Sequence, residues 1–228
     1  MAVMLLTVGR IRPSPMNTDN SATEPQWLIW AKRLQALSQI GLTYTKDTYD
    51  LERYRAVRNI AAEMMAAGSD VALETVSGLF TDQSGYATPK VDTRGVVFRD
   101  QSILLVRERE DDCWTLPGGW ADVLESPREA VQREVREESG YQTRAVKLLA
   151  LYDRSKHPHT PPFPFHIYKL FIHCEVLGGS PAASGETSEV AFFSEDSLPE
   201  FSLSRVTPQQ IQRCFEYLRD PQLPTDFD

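Results

Sequence analysis

The sequence predicts an α/β protein, an α/β/α sandwich led by a small helical domain. Three observations carry that reading. Short stretches of strand character recur between Lys90 and Phe193. Two helices with complete start signals interrupt and close the series, one from Pro127 and one from Thr207-Pro208. Ahead of them, residues 24–68 carry apolar side chains at helical spacing.

Taken in order, residues 1–22 have no periodicity and are expected to be disordered. Val3-Met4-Leu5-Leu6 is far too short for a membrane span and no secretory cleavage pattern follows it. Met16 is an alternative start. The helical extension is placed at residues 23–68. Its first helix runs from Pro25 to Ile40 with Leu28, Ala31, Leu34 and Leu37 as the apolar stripe and Gly41 as its end. Its second starts under Asp47 or Asp50, carries Tyr54, Val57, Ile60, Ala61 and Met64, and stops at Gly68. Two such helices bury little surface alone. They must pack on the rest of the chain or on a second copy, with Trp27 and Trp30 as anchors.

Residues 69–90 read as a linker, residues 91–220 as the main α/β domain and residues 221–228 as a tail. Lys90–Phe98 is a strand, and Arg99-Asp100-Gln101 turns it into Ile103–Val106. Trp114–Leu116 is a short strand entering Pro117-Gly118-Gly119, where glycines let backbone approach a ligand closely. Val146–Tyr152, Ile167–Val176 and Glu189–Phe193 complete the strands. The last helix carries Ile211, Cys214, Phe215 and Leu218.

The chain of 228 residues is long enough for one mid-sized catalytic domain plus an appendage. A formal net charge of −8 argues against broad binding of a phosphate backbone, DNA included. Cys113, Cys174 and Cys214 are an odd number, far apart and without a C-x-x-C pair, which fits reduced thiols in a cytoplasmic protein. His157, His159 and His166 lack zinc-ligand spacing.

The chemistry concentrates between Gly119 and Tyr141. Ser126-Pro127-Arg128-Glu129 has the form of a capping box with proline at the first helical position, and Gly140 sits where a left-handed stop is expected. Between them Glu134, Glu137 and Glu138 fall on one helix face. Like charges on adjacent turns repel, so folding does not favour the cluster. A hard divalent cation such as Mg2+ or Mn2+ does.

The spacing is Gly119, five residues, Glu125, seven residues, Arg133-Glu134-Val135, one residue, Glu137-Glu138, one residue, Gly140-Tyr141. This resembles the signature of the Nudix hydrolases, with Tyr141 as an aromatic where an aliphatic residue is usual and Leu124 where many members carry glycine. The stretch from Trp27 to Tyr54 is similar to the helical extension of a Nudix subgroup that cleaves nucleoside diphosphates linked to another group, the bacterial CDP-choline pyrophosphatase among them. The resemblance implies a Nudix α/β/α sandwich with a mixed sheet. It also implies hydrolysis of a diphosphate bond in a small-molecule nucleotide of the CDP-choline or ADP-ribose type.

Carried over residue by residue, it implies metal ligation by Glu134 and Glu138 foremost, then Glu137, with the Gly118 carbonyl. It gives Arg133 the role of orienting those glutamates, and Glu125 and Gly119 structural roles behind them. Many members draw a further glutamate from a loop beyond this helix, and here Glu186 or Glu189 offers it, with Glu186 favoured because it follows Gly185 in a loop. The basic, proline-stiffened loop with Arg154, Lys156 and His157 is a candidate for substrate contact. Phe163, Phe165 and Tyr168 could cage a quaternary ammonium. Aromatics at Trp27, Trp30, Tyr49 and Tyr54 point to a homodimer through the N-terminal helices, which the subgroup also suggests.

Two other readings compete. An RNA-processing Nudix enzyme is disfavoured as the main role by the acidic charge and the lack of an arginine-rich stripe, and RNA stays as a secondary substrate. A ligand-sensing regulator is disfavoured by the intact glutamate motif and by the short segment after Pro208.

Overall fold

The structure is a computed structural model that describes residues 24–228. The expected disorder of residues 1–22 and the alternative start at Met16 lie outside the described residues. The described chain forms two compact units. The first takes the residues before Lys90 together with Pro161–His166, and the second takes Lys90–Thr160 and Ile167–Asp228.

The first unit holds helices α1 (Gln26–Tyr44), α2 (Thr48–Gly68) and α3 (Leu73–Thr81). Asp47 caps α2 by accepting the Asp50 amide at 3.0 Å. Leu28, Ala31, Ala61, Ala62, Met65, Val76 and Phe80 form the buried cluster, and Phe165 packs against it. Gly41 does not end α1, which runs on to Tyr44. Its glycine is there for contact between helices, because a Cβ would lie 2.4 Å from the Tyr54 ring. Gly68 does end α2, and it also makes room for Trp27, whose ring would sit 2.5 Å from a Cβ there. The expected linker at 69–90 contains α3, which sequence reading missed. That helix has nine residues, a glycine inside it and no side-chain cap, so its local signals are weak and its burial of Val76 and Phe80 decides it. Leu37 and Ile60, expected on the buried stripes, are exposed, as are Trp30 and Tyr49.

The second unit contains a mixed sheet of seven strands: β1 (Lys90–Arg99), β2 (Ser102–Glu108), β3 (Trp114–Thr115), β4 (Tyr141–Asp153), β5 (Ile167–Gly179), β6 (Thr187–Ser194) and β7 (Asp226–Phe227). β1 runs parallel to β5, and β5 runs antiparallel to β4. β2 pairs antiparallel with β1, β3 and β6. Consecutive residues point to opposite faces, so each strand serves two cores. Val97, Leu104, Leu170 and Ile172 pack under α4 (Pro127–Ser139), against Val131 and Val135. Val96, Ile103, Leu105 and Phe171 pack with α5 (Pro208–Arg219), against Ile211, Cys214 and Phe215. This is the α/β/α arrangement that the sequence predicts.

Residues 221–228 are not a loose tail. β7 pairs in parallel with β4 through Ala150 and Leu151, and Tyr152 donates its hydroxyl to Asp226 at 2.8 Å. A two-residue strand has no sequence periodicity to read. No helix among the described residues is long and apolar enough to cross a membrane.

Candidate active site

The site is assembled on one helix and one turn. Both devices of the capping box form at the start of α4, with Ser126 and Glu129 exchanging bonds, and Gly140 closes the helix at φ +78°. α4 rests on β1 at Gly95, where a Cβ would lie 2.3 Å from a Val135 methyl. Any side chain there would lift the helix.

The Pro117–Ala121 segment hangs along β1. Gly95 donates its amide to the Pro117 carbonyl at 2.8 Å, Thr93 to the Gly119 carbonyl at 2.8 Å, and Ala121 donates to the Val91 carbonyl at 3.0 Å. The Gly118 carbonyl lies outside this ladder. Gly118 has φ +146°, and a Cβ on it would fall 2.0 Å from the Thr93 oxygen. The position therefore requires glycine on two counts.

Helix and turn meet at two glutamates. Glu138, 6% exposed, accepts the Gly118 amide on Oε2 at 2.8 Å. Burial pushes its carboxyl up to about 8, with Arg94 opposing and Glu108 adding to the rise. Glu134 lies one turn earlier, with Oε1 3.0 Å from where a Gly119 Cβ would be. Burial raises it too, against Arg133.

Arg133 is the hub of the outer layer. It donates Nε and Nη2 to the two oxygens of Glu125 at 2.8 and 2.9 Å. Its Nη1 donates to Glu134 at 2.8 Å and to Glu137 at 3.2 Å. Its Nη2 also reaches the Trp120 carbonyl at 3.3 Å. Glu137 is half-exposed. The three-carboxylate stripe of the sequence is thus a buried Glu138, a partly buried Glu134 and an exposed Glu137, the last two both held by Arg133. No group of three or more His, Cys, Asp or Glu side chains stands at metal-ligating spacing among the described residues. The donors that do face the turn are all oxygens, the set a hard divalent ion takes, and such an ion would favour the ionised form of both carboxyls.

The loop before β6 is tied to this helix. Thr187 donates its hydroxyl to the Glu138 carbonyl at 2.8 Å, and the Ala182 amide bonds the Ser139 carbonyl at 3.0 Å. Glu186 is exposed beside that anchor, with its amide on Ser184 Oγ at 3.1 Å. Glu189 is paired with Arg107 at 2.5 Å.

The basic loop is less open than the sequence suggests. Arg154 is buried and donates to the Ser204 carbonyl at 3.3 Å. His157 approaches Asp228 at 3.3 Å and tilts over the Tyr152 ring. Lys156 is exposed. Phe165 belongs to the helical unit, edge-on to Phe80 with ring centroids 6.3 Å apart. It is partly buried and packs against that unit's core cluster.

Sequence reading missed a second charged layer. Asp92 and Arg94 are buried on β1, Lys169 on β5 and Glu108 on β2, where Arg205 pairs with it at 2.9 Å. The signal available was Asp92-Thr93-Arg94 just before the apolar run Val96-Val97-Phe98 of the same strand.

Residues 89–214 match the NUDIX domain family, and residues 25–80 match a domain described as UDP-X-like, N-terminal oligomerisation. The chain belongs to the Nudix family. A Bacillus subtilis protein provisionally named an ADP-ribose pyrophosphatase is 46% identical over 205 residues, spanning 90% of this chain and 98% of its own length. The crystal structure of an ADP-ribose pyrophosphatase from Streptococcus suis superposes with TM-score 0.56 at 40% identity, over 62% of this chain and all of that one. The crystal structure of a UDP-X diphosphatase superposes with TM-score 0.58 at 32% identity, over 89% of this chain and 98% of that one. This Nudix protein is a pyrophosphohydrolase, with the extension of the UDP-X-like subgroup in front of the catalytic fold.

Proposed function

We propose that this Nudix enzyme hydrolyses the diphosphate of a nucleoside diphosphate linked to a small group, with ADP-ribose the foremost substrate and CDP-choline a second of the same class. The observation that carries the reading is the pair Glu134 and Glu138 facing the Gly118-Gly119 turn. ADP-ribose is favoured by the names of the two ADP-ribose pyrophosphatase relatives, and by the packing of Phe165 against Phe80, which removes one ring from the choline cage.

Glu134, Glu138 and the Gly118 carbonyl are the proposed ligands of Mg2+ or Mn2+, with Glu137 at the margin. A divalent ion there would offset the charge of the diphosphate and lower the pKa of the attacking water. Arg133 holds the glutamates in register through Glu125, Glu134 and Glu137. Glu186 takes the proton from the attacking water; its neighbour Thr187 anchors the loop to the Glu138 carbonyl. Glu189 is the weaker candidate because Arg107 occupies it. Lys156 remains available for substrate phosphate. The helical unit is proposed to join two copies, in keeping with the oligomerisation domain it matches and with the exposed Trp30, Leu37, Tyr49 and Ile60.

The deciding experiment incubates the full chain with ADP-ribose, CDP-choline, a UDP-linked sugar and diphosphate-capped RNA, with Mg2+ or Mn2+ and with chelator. AMP and ribose 5-phosphate released from ADP-ribose, only with metal, is the expected result. Cleavage of capped RNA alone overturns the substrate assignment.

A further inference from the structure

Three charged side chains are sealed inside the catalytic unit beside the glycine turn, and the chemistry above does not use them. Asp92 and Arg94 alternate on β1, and Lys169 stands opposite Asp92 on β5. Arg94 donates Nε and Nη2 to the two oxygens of Asp92 at 3.0 and 2.7 Å. Lys169 bonds the same carboxylate. The remaining arm of Arg94, Nη1, donates to the Leu116 carbonyl at 3.2 Å, just before Pro117. The amides on either side of Arg94, those of Thr93 and Gly95, hold the Gly119 and Pro117 carbonyls. Backbone and side chain of residues 93–95 thus grip the turn together.

Buried charges are expensive, and apolar residues of similar volume often serve folding as well or better. What the guanidinium offers is a rigid fork with every arm satisfied. Burial pushes Asp92 up, but Arg94 and Lys169 outweigh it and bring the carboxyl down to about 2. The charge of Arg94 also opposes the upward push of burial on Glu108, Glu134 and Glu138.

We propose that Arg94, locked by Asp92 and Lys169, is the positioning residue of this site: it fixes the Leu116–Gly119 turn, which Glu138 meets at the Gly118 amide and Glu134 faces at Gly119. The inference rests on the reading of those glutamates as holders of a divalent ion. A triad that only ties β1 to β5 would change melting and nothing else. A positioning triad changes the turn and the affinity for the ion.

The test is Arg94→Lys in the full chain. Lysine keeps the charge but cannot span both Asp92 oxygens and the Leu116 carbonyl. Amide exchange of residues 116–121 is measured without metal, Mn2+ binding by calorimetry, and turnover at saturating metal. Exchange of that segment is expected to rise while β5 is unchanged, with Mn2+ affinity and kcat each falling about tenfold, the scale of residues that orient metal ligands, and substrate KM within about twofold. Exchange and Mn2+ affinity both within about twofold of wild type overturn the proposal. If Arg94→Lys does not fold, Asp92→Asn, which keeps the shape but only one acceptor, carries the same expectations and the same refutation. Failure of the wild-type chain to bind Mn2+ would sink the metal reading instead, and local exchange at the turn would still decide the role of Arg94.

Discussion

Glu138 accepts the amide of Gly118 at 2.8 Å, which fastens the box helix to the turn. Glutamine at 138 can accept the same bond without carrying the charge. Glu138→Gln should therefore keep the fold, melting no lower than wild type in chelator, and lose activity. Glu134→Gln should do likewise. Loss of an ion worth several kcal/mol of transition-state stabilisation corresponds to roughly a thousandfold in kcat. Both variants within about tenfold of wild type at saturating metal would remove these residues from the metal site.

The two loop glutamates differ in occupancy. Glu186 bears no ion pair among those seen in the described residues, whereas Glu189 holds Arg107 at 2.5 Å on the surface. Glu186→Ala should lower kcat by about 10²–10⁴, the range for a general base. Glu189→Ala removes an exposed, solvent-screened pair and should leave both stability and kcat nearly unchanged. Turnover at saturating substrate decides it, and a larger loss at Glu189 reverses the roles.

Leu124 sits at φ +72° with its side chain 99% exposed. A left-handed conformation costs an L-residue about 1–2 kcal/mol. Glycine there adds unfolded-state entropy worth about 0.4–1 kcal/mol against it. The first effect is the larger, and no packing is lost, so Leu124→Gly should raise the melting temperature by about 1–3 °C with kcat unchanged. A lower melting temperature would mean that the leucine is covered in the working protein.

His159 is buried, with Nδ1 3.0 Å from the Leu203 carbonyl and Nε2 3.3 Å from the Gln210 amide. The ring therefore donates from Nδ1 and accepts on Nε2. Burial pushes its pKa from 6.5 down to about 2. The unfolded chain takes up a proton below 6.5 that the native chain refuses, so stability falls as pH drops from 6.5 towards 2. Between pH 7 and pH 5 the loss is about 2 kcal/mol. Glu138 and other groups titrate over the same interval, so the readout is the difference between proteins: by urea unfolding the wild type should lose about 2 kcal/mol more than His159→Gln between the two pH values. An equal pH dependence in the two proteins would refute the assignment.

Trp30, 51% exposed, and Leu37 lie two turns apart on α1, outside the buried cluster. If this face joins two copies, Trp30→Glu with Leu37→Glu should convert a sedimenting dimer to a monomer that melts cooperatively. A wild-type chain that is monomeric at micromolar concentration would exclude the proposed dimer.

The site was legible where residues act through local spacing. Ser126, Pro127, Glu129 and Gly140 mark the ends of α4 by chemistry that works within four residues, and the face shared by Glu134 and Glu138 follows from helical pitch alone. The fold class was legible for the same reason, since the strand character of Lys90–Phe98 and Ile167–Val176 is a local pattern. What the sequence hid depends on partners far along the chain. Lys169 and Asp92 meet across 77 positions, and Arg154 is buried under Ser204. Gly41 looked like a helix stop because its need for Tyr54 comes from another helix. Leu37 and Ile60 looked like core because periodicity finds an apolar face but not what covers it.

The final residues give the sheet a finished border. Lys147 reaches back to the carbonyls of Pro221 and Leu223 at 2.8 and 2.7 Å, and Thr225 bonds the Leu148 carbonyl at 2.8 Å. Asp228 takes the Asp153 amide at 2.7 Å. Further up the same strand, Gln132 of α4 takes the amide of Ala145 at 2.9 Å. An outer strand with open backbone groups is a template on which another chain can stack. Here several of those groups are occupied from within the molecule, so residues 221–228 and Gln132 leave less of that border open to another chain.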